Sequence, residues 1–489
     1  WSQLSVRTNP KYPDLMQAYA AGYIEGIGTK SLIADNWFNT VEGMWDMCTG
    51  KTKFCANLKK FLEANLAYMM RMIKDNNDSQ YWKQIELNLM QLQGMEDAYY
   101  GKVMNLTSNL HLKPFGLTLL NINGDIETLE DVLDDTDHIN HDSDHMIGSG
   151  SCSALIKLLG NSELLAAHST WSGYNTMLRI IKKYELNYRD IKGELIPGHT
   201  SSFSSYPGQI FSGDDFYILS SGLTTIETTI SNSNQKLWKY VKSDTVLEWL
   251  RNLAANQMAR SGVEWSSIFA LHNSGTYNNQ KVVDYNKFTP GIEPQPGLLY
   301  VLEQLPGLIV YKDVTNVLKR QTYWASYNSP YYPKVFNASG LPALVKKYGP
   351  WFTHDRTPRA LIFARNHSSV TDIHKMLKLM RYNNFQHDPL SSCNCTPPYS
   401  GENAIAARSD LNLAQGEYPL PALSQRNHGA TDVKITSSSL HRNYEMIAEC
   451  GPTHDQQPVF KWSTSPYFNL PHRGMPDSFD FQPIHVKWD

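Results

Sequence analysis

A cysteine follows a run of glycine and serine at residues 148–155, which read GSGSCSAL. A cysteine thiol becomes a strong nucleophile once a nearby base deprotonates it. If the peptide bond between Ser151 and Cys152 is cut, Cys152 gains a free α-amine, whose unperturbed pKa of about 7.7–8.0 lies near neutral pH. That amine can serve as the base for the thiol of its own residue. A flexible run of glycine and serine is a place where a peptide bond can be bent and attacked by the side chain that follows it, and a cut after Ser151 would make Cys152 an N-terminal nucleophile.

A histidine is expected close to this cysteine. The apolar runs SALIKLL and ELLAAH, separated by GNS, predict a β-hairpin that turns near Gly160 or Asn161. In that hairpin His168 lies opposite Cys152 or within one residue of it, and the two can act as nucleophile and partner. There are ordinary alternatives, since a lone cysteine commonly packs as a small hydrophobic residue and a strand-end histidine is commonly just hydrogen-bonded. A register shift of two residues would remove the pairing.

The hairpin has to be positioned by other elements, and those before it are predicted to be helical. Apolar residues recur with the 3.6-residue helical period over residues 58–73 and again over residues 85–95. The next segment, KPFGLTLLNING, predicts an extended stretch that turns at its Asn-Gly pair. Directly after the hairpin, Thr170 can cap a helix over WSGYNTMLRIIKKYEL.

Strands are predicted for most of the chain beyond the hairpin. Short apolar runs such as SSFSSYPGQIF and DDFYILSSGLTTIETTI alternate with turn residues, and from about residue 285 prolines accompany strands and loops. Helices and strands in separate blocks predict an α+β fold. We expect residues 1–151 to form a largely helical fragment and residues 152–489 the nucleophile-bearing fragment, together making one globular unit.

The segment joining the two fragments, residues 129–151, is acidic and ends in glycine and serine. Such a composition buries too little apolar surface to offset its ordering entropy, so we expect a mobile surface loop. His138, His141 and His145 lie among its aspartates. Their spacing matches no known metal cage, so a solvated linker is the preferred interpretation and no metal site is predicted.

The overall composition excludes two classes of protein. With 489 residues, 41% of them hydrophobic, and a net charge of −3, the chain is a folded globule without the basic surface that nucleic acids require. No apolar run approaches the length of about 18 residues that crosses a bilayer. Since the chain begins at Trp1, we also expect that an N-terminal signal peptide has been removed.

Sequons and cysteines favour a secreted or lysosomal glycoprotein. Asn-X-Ser/Thr sequons, which accept N-linked glycans only in the secretory pathway, occur at Asn77, Asn105, Asn337, Asn366 and Asn394. Cys48 and Cys55 are close enough in sequence to close a short disulfide loop. Cys393, Cys395 and Cys450 can supply one further bridge, with the pairing left open.

Several long motifs resemble the phospholipase B-like family of lysosomal N-terminal nucleophile hydrolases. They are GSGSCSALIKLL, AHSTWSGYNTMLRIIKKY, FSSYPGQIFSGDDFYILSSGL, ASYNSPYYPKVFNASGL, GENAIAARSDLN and FKWSTSPY, and they follow one another along nearly the whole chain. The resemblance implies an αββα sandwich of the N-terminal nucleophile hydrolase type, made from a precursor that cleaves itself before the cysteine. It also implies kinship with amide hydrolases such as penicillin V acylase, bile salt hydrolase and acid ceramidase, and a location in the lysosome lumen or outside the cell.

The resemblance also implies roles for single residues. Cys152 would be the nucleophile, with His168 and Trp171 lining the site. Asn328 would donate to the oxyanion, Thr229 would contribute a hydroxyl, and Arg359 would place a positive charge near the pocket. Each of these residues also has a purely structural alternative: Asn328 caps a turn, Trp171 belongs to the core, and Arg359 pairs with a surface carboxylate. No cofactor is implied.

Three functions remain open at this point. The first is a hydrolase of acyl bonds, amide or phospholipid ester, that acts on an acylated small molecule or lipid through an acyl-thioester. The second is a self-cleaving glycoprotein that binds or carries lipid without turnover. The third is a papain-like protease, although the C-G-S-C-W context of that family is absent around Cys152. The sequence leaves the choice between monomer and homodimer open.

Overall fold

A computed structural model describes residues 1–42, 52–107, 109–133, 150–277 and 279–488. The helices of these segments are α1 (Asp14–Gly28), α2 (Lys30–Trp37), α3 (Thr52–Asp75), α4 (Gln80–Tyr99), α5 (Thr118–Asn121), α6 (Asn123–Leu133), α7 (Glu248–Met258), α8 (Gly262–Phe269), α9 (Thr315–Gln321), α10 (Pro333–Ala338), α11 (Leu341–Tyr348), α12 (Pro358–Asn366) and α13 (Ile373–Met380). The two helices predicted from the 3.6-residue period are confirmed as α3 and α4.

The strands are β1 (Ser2–Arg7), β2 (Cys152–Leu159), β3 (Glu163–Ser172), β4 (Ile180–Glu185), β5 (Thr200–Ser205), β6 (Phe216–Leu219), β7 (Leu223–Glu227), β8 (Asn279–Asp284), β9 (Leu299–Leu305), β10 (Leu308–Asp313), β11 (Tyr323–Ser326), β12 (Gly429–Ala430), β13 (Asp432–Ser437), β14 (Met446–Cys450) and β15 (Ile484–Val486). They form two sheets. The first has the order β1-β4-β5-β6-β7-β8-β9-β10, and the second the order β11-β2-β3-β13-β14-β15, with β12 paired to β3.

The two sheets pack on each other through a shared apolar core. Residues of β2 and β3 in the second sheet, such as Ile156 and Leu164, meet residues of the first sheet such as Ile218 and Val301. On its other face the first sheet is covered by helices α1, α4, α7 and α8, and the second by α12 and α13. Helices and strands therefore lie in separate layers, which confirms the α+β class.

Helices α1 and α4 touch backbone to backbone, which requires glycine at the crossing. A Cβ atom added to Gly22 would lie 1.7 Å from the Gln91 carbonyl oxygen, and one added to Gly94 would lie 2.0 Å from the Tyr19 carbonyl oxygen. Because no side chain fits at these distances, the contact depends on both glycines.

Two local predictions before and after the hairpin are wrong. The stretch predicted to be extended at residues 113–124 contains α5, and its Asn-Gly pair starts α6 rather than a turn. The helix predicted from Thr170 is absent, since residues 180–185 form β4 between β1 and β5. In both places partners distant in sequence override the local pattern. The last 200 residues, predicted as strands and loops, also contain α9–α13.

The predicted β2–β3 hairpin is confirmed, but its register differs from the expected pairing. The turn contains Gly160, whose φ of 57° suits a residue without a side chain. Thr170 lies opposite Cys152, and His168 lies opposite Ala154. The prediction that His168 lies within one residue of the position opposite Cys152 is therefore wrong. Because side chains alternate along a strand, His168 still projects from the same face of the sheet as Cys152.

The structure also bears on the predicted loop, the cysteines and the sequons. Residues 129–133 of the predicted loop belong to α6, while Cys48, His138, His141 and His145 lie outside the described residues. Cys393 is bonded to Cys395, and Cys152 and Cys450 are free buried thiols.

Four of the sequon asparagines are exposed, and the fifth, Asn366, is half-buried. Among the described residues we find no helix with the length and apolarity to cross a bilayer.

Candidate active site

Cys152 is the first residue of β2 and is buried, with 3% of its surface exposed. The β2–β3 ladder continues one residue upstream of it, where the Trp171 backbone N–H donates to the Ser151 carbonyl oxygen at 2.6 Å. That carbonyl belongs to the peptide bond between Ser151 and Cys152. The bond predicted to be cut therefore has its carbonyl polarised by a backbone donor next to the thiol.

Asn328 holds the nitrogen side of the same peptide bond. It follows β11, which pairs with β2, and it adopts a φ of 67°, a conformation that asparagine tolerates. Its Oδ1 accepts hydrogen bonds from the N–H groups of Ser151 at 3.0 Å and Cys152 at 3.4 Å. Its Nδ2 donates to the Thr229 carbonyl at 2.7 Å. The amide oxygen of Asn328 thus holds the peptide unit before Ser151 and the peptide unit that is predicted to be cut.

Arg359 closes the site from the second sheet's helical layer. Thr357 caps α12 and places Arg359 in its first turn. The guanidinium donates to the Cys152 carbonyl at 2.6 Å and to Asn328 Oδ1 at 2.8 Å. It also stacks over the Trp171 ring, with Arg359 Cζ 4.2 Å from the ring centroid. Arg359 therefore pairs with groups of the site rather than with a surface carboxylate.

This arrangement changes the role that Asn328 plays in the uncut chain. The sequence predicts that Asn328 donates to an oxyanion, whereas here its NH2 group donates to the Thr229 carbonyl. The donor that reaches the carbonyl of the predicted cleavage site is the Trp171 backbone N–H. Reasoning from the sequence missed this donor because a backbone N–H has no residue-type signal. The donor follows from the hairpin register, which sets Trp171 beside Ser151.

Thr229 and His168 lie near the cysteine without touching the peptide bond through their side chains. The Thr229 hydroxyl donates to Glu227 Oε2 at 3.3 Å, while its carbonyl holds Asn328. His168 is fully buried, and burial together with Lys434 lowers its pKa well below the ordinary value, so the ring is neutral. Of the residues implied by the resemblance, the structure therefore brings Cys152, Asn328, Trp171 and Arg359 into direct contact, and Thr229 joins them through its backbone carbonyl.

Thr170, the residue opposite Cys152, is anchored in a buried ionic network. Its hydroxyl donates to Asp214 Oδ2 at 2.9 Å and accepts from Lys434 Nζ at 2.7 Å. Arg179 and Lys434 balance Asp214 and Asp432, and all four charged side chains are almost fully buried. Because the charges are paired, the network tolerates burial. It fixes β3, the strand that pairs with β2 at Cys152.

Glu402 is a site residue that the sequence did not reveal. Its Oε1 accepts from the Gly150 backbone N–H at 2.9 Å. Its Oε2 accepts from Ser409 Oγ at 2.7 Å and Arg426 Nη2 at 2.9 Å. Although burial alone would raise it, Arg426 and His428 lower the pKa of Glu402 to about 2. A permanent carboxylate therefore holds the residue that precedes Ser151.

A small cavity borders this group. It measures about 60 Å³ and is lined by Asn328, Arg359 and Glu402 on one side and by aromatic residues, Trp351 and Phe352, on another. A space of this size holds a few water molecules rather than a long acyl chain.

The thiol is protonated in the uncut chain. Burial raises the pKa of Cys152 well above its ordinary value, and the nearby Glu227 carboxylate raises it further. The backbone nitrogen of Cys152 is an amide here and is not basic. The Trp171 backbone N–H and the Lys434 ammonium lower the pKa of the thiol, but they do not cancel this rise.

Comparison with known proteins confirms the resemblance seen in the motifs. The model of a family described as Phospholipase B matches residues 1–486. The chain is 53% identical to "Putative phospholipase B-like 2" of Bos taurus and 52% identical to the protein of that name from Homo sapiens, each over 498 aligned positions that cover 100% of this chain and 84% of the relative. "Phospholipase B-like protein B" of Dictyostelium discoideum is 37% identical over 490 positions, covering 98% of this chain and 82% of the relative.

Proposed function

Since the chain belongs to the phospholipase B family, a family of hydrolase-like proteins, we propose that it hydrolyses acyl bonds with Cys152 as the nucleophile. In this proposal the chain first cleaves itself between Ser151 and Cys152. The helix, sheet, sheet, helix order of its layers supports an N-terminal nucleophile hydrolase fold. The observation that carries the proposal is the Ser151 carbonyl, which accepts from the Trp171 N–H beside the Cys152 thiol.

Self-cleavage proceeds by transfer of the acyl group from nitrogen to sulfur. Cys152 Sγ attacks the Ser151 carbonyl carbon, and the Trp171 N–H stabilises the negative charge that develops on the oxygen. The C–N bond then breaks, and the nitrogen of Cys152 takes the thiol proton to become an amine. Water hydrolyses the resulting thioester, which leaves a carboxylate on Ser151 and a free thiol and amine on Cys152.

The same residues then serve turnover. The new α-amine takes the proton of the thiol, and the thiolate attacks the acyl carbon of a substrate. The leaving amine or alcohol takes the proton, and water hydrolyses the acyl-thioester to release a carboxylic acid. Asn328 Oδ1, which holds the Cys152 N–H in the uncut chain, is placed to accept from the amine as well. Arg359 holds the Cys152 carbonyl and so keeps the residue in place.

We further propose that the protein works as a glycoprotein in the lysosome lumen or outside the cell. The exposed or half-buried sequon asparagines support glycan attachment, and the Cys393–Cys395 disulfide supports an oxidising route of synthesis. The Cys48–Cys55 disulfide stays a prediction, because Cys48 lies outside the described residues.

A self-cleaving carrier without turnover is the second candidate. The small cavity, about 60 Å³, leaves little room for a substrate beside the uncut segment and so argues against turnover, although it offers no more room to a carried acyl chain. The papain-like alternative has no such support, because Thr170 rather than His168 lies opposite Cys152.

The first experiment tests self-cleavage. The purified wild-type chain is analysed by gel electrophoresis and N-terminal sequencing beside Cys152→Ala, with Cys450→Ala as the matched control because Cys450 is the other free buried thiol. We expect wild type and Cys450→Ala to yield a fragment that starts at Cys152, and Cys152→Ala to stay intact. Uncut wild-type protein that hydrolyses acyl substrates would refute the proposal.

The second experiment separates the enzyme from the carrier. The cleaved protein is incubated at acid pH with acyl amides and phospholipids, and Cys152 is examined by mass spectrometry for an acyl adduct. Release of free acid together with an adduct supports the hydrolase. Tight binding of an acylated ligand without adduct or acid supports the carrier.

A further inference from the structure

The segment that precedes the cysteine occupies the acyl side of the site. Ser151 carries the carbonyl that Cys152 attacks in the proposed self-cleavage, and Gly150 lies one residue further upstream. Gly150 and Ser151 are thus the acyl group of the first reaction that the site performs. Their contacts describe what kind of acyl group the site holds.

The position of Gly150 admits no side chain. A Cβ atom added there would lie 2.6 Å from Arg359 Nη2 and 2.6 Å from Trp171 Cζ3. Arg359 cannot easily give way, because it donates to the Cys152 carbonyl and to Asn328 Oδ1 while stacking on Trp171. The site therefore fits an unsubstituted CH2 group at this point.

The backbone N–H of Gly150 is bound by a charged side chain, the carboxylate of Glu402. This N–H donates to Glu402 Oε1, and among the described residues it is the only hydrogen-bond donor to that oxygen. Glu402 is 3% exposed. A buried carboxylate oxygen that loses its donor is costly, so the site favours an acyl group that brings an N–H to this place.

We propose that the cleaved protein prefers amides whose acyl group is peptide-like, with an unsubstituted glycyl unit whose N–H or ammonium binds Glu402. This inference rests on the proposed function and narrows its substrate. A plain alkyl chain offers Glu402 no donor, and a site built around a hydrogen bond rejects an analogue that lacks the donor. Glu402 is thus a specificity-determining residue, and Arg359 with Trp171 excludes substituents beside it.

The test uses matched fluorogenic amides of 7-amino-4-methylcoumarin with the full, self-cleaved chain. The first substrate carries N-acetylglycylserine, the second has oxygen in place of the glycyl N–H, the third replaces glycine by alanine, and the fourth carries a dodecanoyl group. A fifth, glycylserine with a free amine, distinguishes an ammonium donor from an amide donor. Rates of coumarin release and acyl adducts on Cys152 are measured for each.

We expect kcat/KM for the better of the two glycyl amides to exceed that of the oxygen and alanyl analogues at least about tenfold. Glu402→Gln should shrink the difference between the glycyl amide and its oxygen analogue, because a neutral acceptor binds an N–H less strongly. Glu417→Gln, which removes an exposed carboxylate, is the matched control and should leave the difference unchanged.

Two results would overturn the inference in different ways. If the dodecanoyl amide reacts and the glycyl amides do not, or if the oxygen analogue reacts as fast as the amide, the hydrolase stands and the assigned substrate class fails. If the chain is cleaved but no substrate forms an adduct or releases coumarin, the hydrolase proposal fails as well.

Discussion

Replacing Asn328 tests whether the peptide bond between Ser151 and Cys152 must be held from its nitrogen side. Asn328→Gly removes the side chain but keeps the positive φ of 67° without strain. Asn328→Ala removes the same side chain and adds a backbone penalty of about 1 kcal/mol. The pair therefore separates the hydrogen bonds from the conformation.

The size of the expected effect follows from the hydrogen-bond donors that lose Asn328 Oδ1 as their acceptor. A hydrogen bond from a charged donor such as Arg359 contributes about 1.5–3 kcal/mol, and one from a neutral N–H such as that of Ser151 about 1 kcal/mol. If the loss of these hydrogen bonds raises the barrier to self-cleavage by about 2–3 kcal/mol, the reaction slows by roughly 30–150-fold. The remainder lowers the stability of the fold.

The assay follows the uncut chain over time after cell-free synthesis, by gel electrophoresis, with thermal unfolding as the measure of folding. We expect both variants to cleave slowly, and Asn328→Ala to unfold at a lower temperature than Asn328→Gly. If Asn328→Gly is folded and cleaves within about threefold of the wild-type rate, Asn328 does not hold the bond for attack and the reasoning is wrong.

Three further changes test neighbouring parts of the structure. Arg359→Lys keeps the charge but loses the two-pronged contact with Cys152 and Asn328, so self-cleavage should slow by about tenfold on the same gel assay, and an unchanged rate would contradict the contact. Gly150→Ala should also slow cleavage, because the added methyl group meets Arg359, and fast cleavage of a folded variant would show that the space exists. Burial raises the pKa of Asp125, in α6, from its ordinary value to about 6, so its contribution to stability is complete below about pH 3.8 and is lost as the pH rises through about 6. Asp125→Asn should therefore make the melting temperature fall less steeply between pH 4 and pH 7, and an unchanged slope would exclude this group as a cause.

The sequence predicted the elements that depend on local pattern. Helices α3 and α4 follow from the apolar period, and the β2–β3 hairpin follows from two apolar runs and a turn. Prediction from the sequence failed where residues distant in sequence determine the secondary structure. Residues 180–185 read as a helix but form β4, since β1 and β5 pair with both of its edges.

The site was predictable only in part, for a related reason. Cys152, Asn328, Trp171 and Arg359 were implied by family resemblance, and the structure brings them together. The hydrogen bond between Glu402 and Gly150 joins residues 252 positions apart, so spacing in the sequence contains no trace of it. The register that pairs Thr170 rather than His168 with Cys152 depends on where the turn closes, which apolar runs alone do not specify.

Under the proposed function, these contacts account for a thiol that acts on other molecules only after the chain has been cleaved. In the uncut chain burial and Glu227 raise the pKa of Cys152, and its nitrogen is an amide that cannot accept the proton. In the proposed mechanism the Ser151 carbonyl carbon is the first acyl carbon that the thiol attacks, so the first reaction is directed at the chain itself. In the proposed mechanism cleavage turns the same nitrogen into a base beside the thiol, and the partners that Asn328 and Arg359 have on Cys152 in the uncut chain remain in place. On this view one set of hydrogen bonds serves both reactions, and a variant that loses the first without unfolding should lose the second.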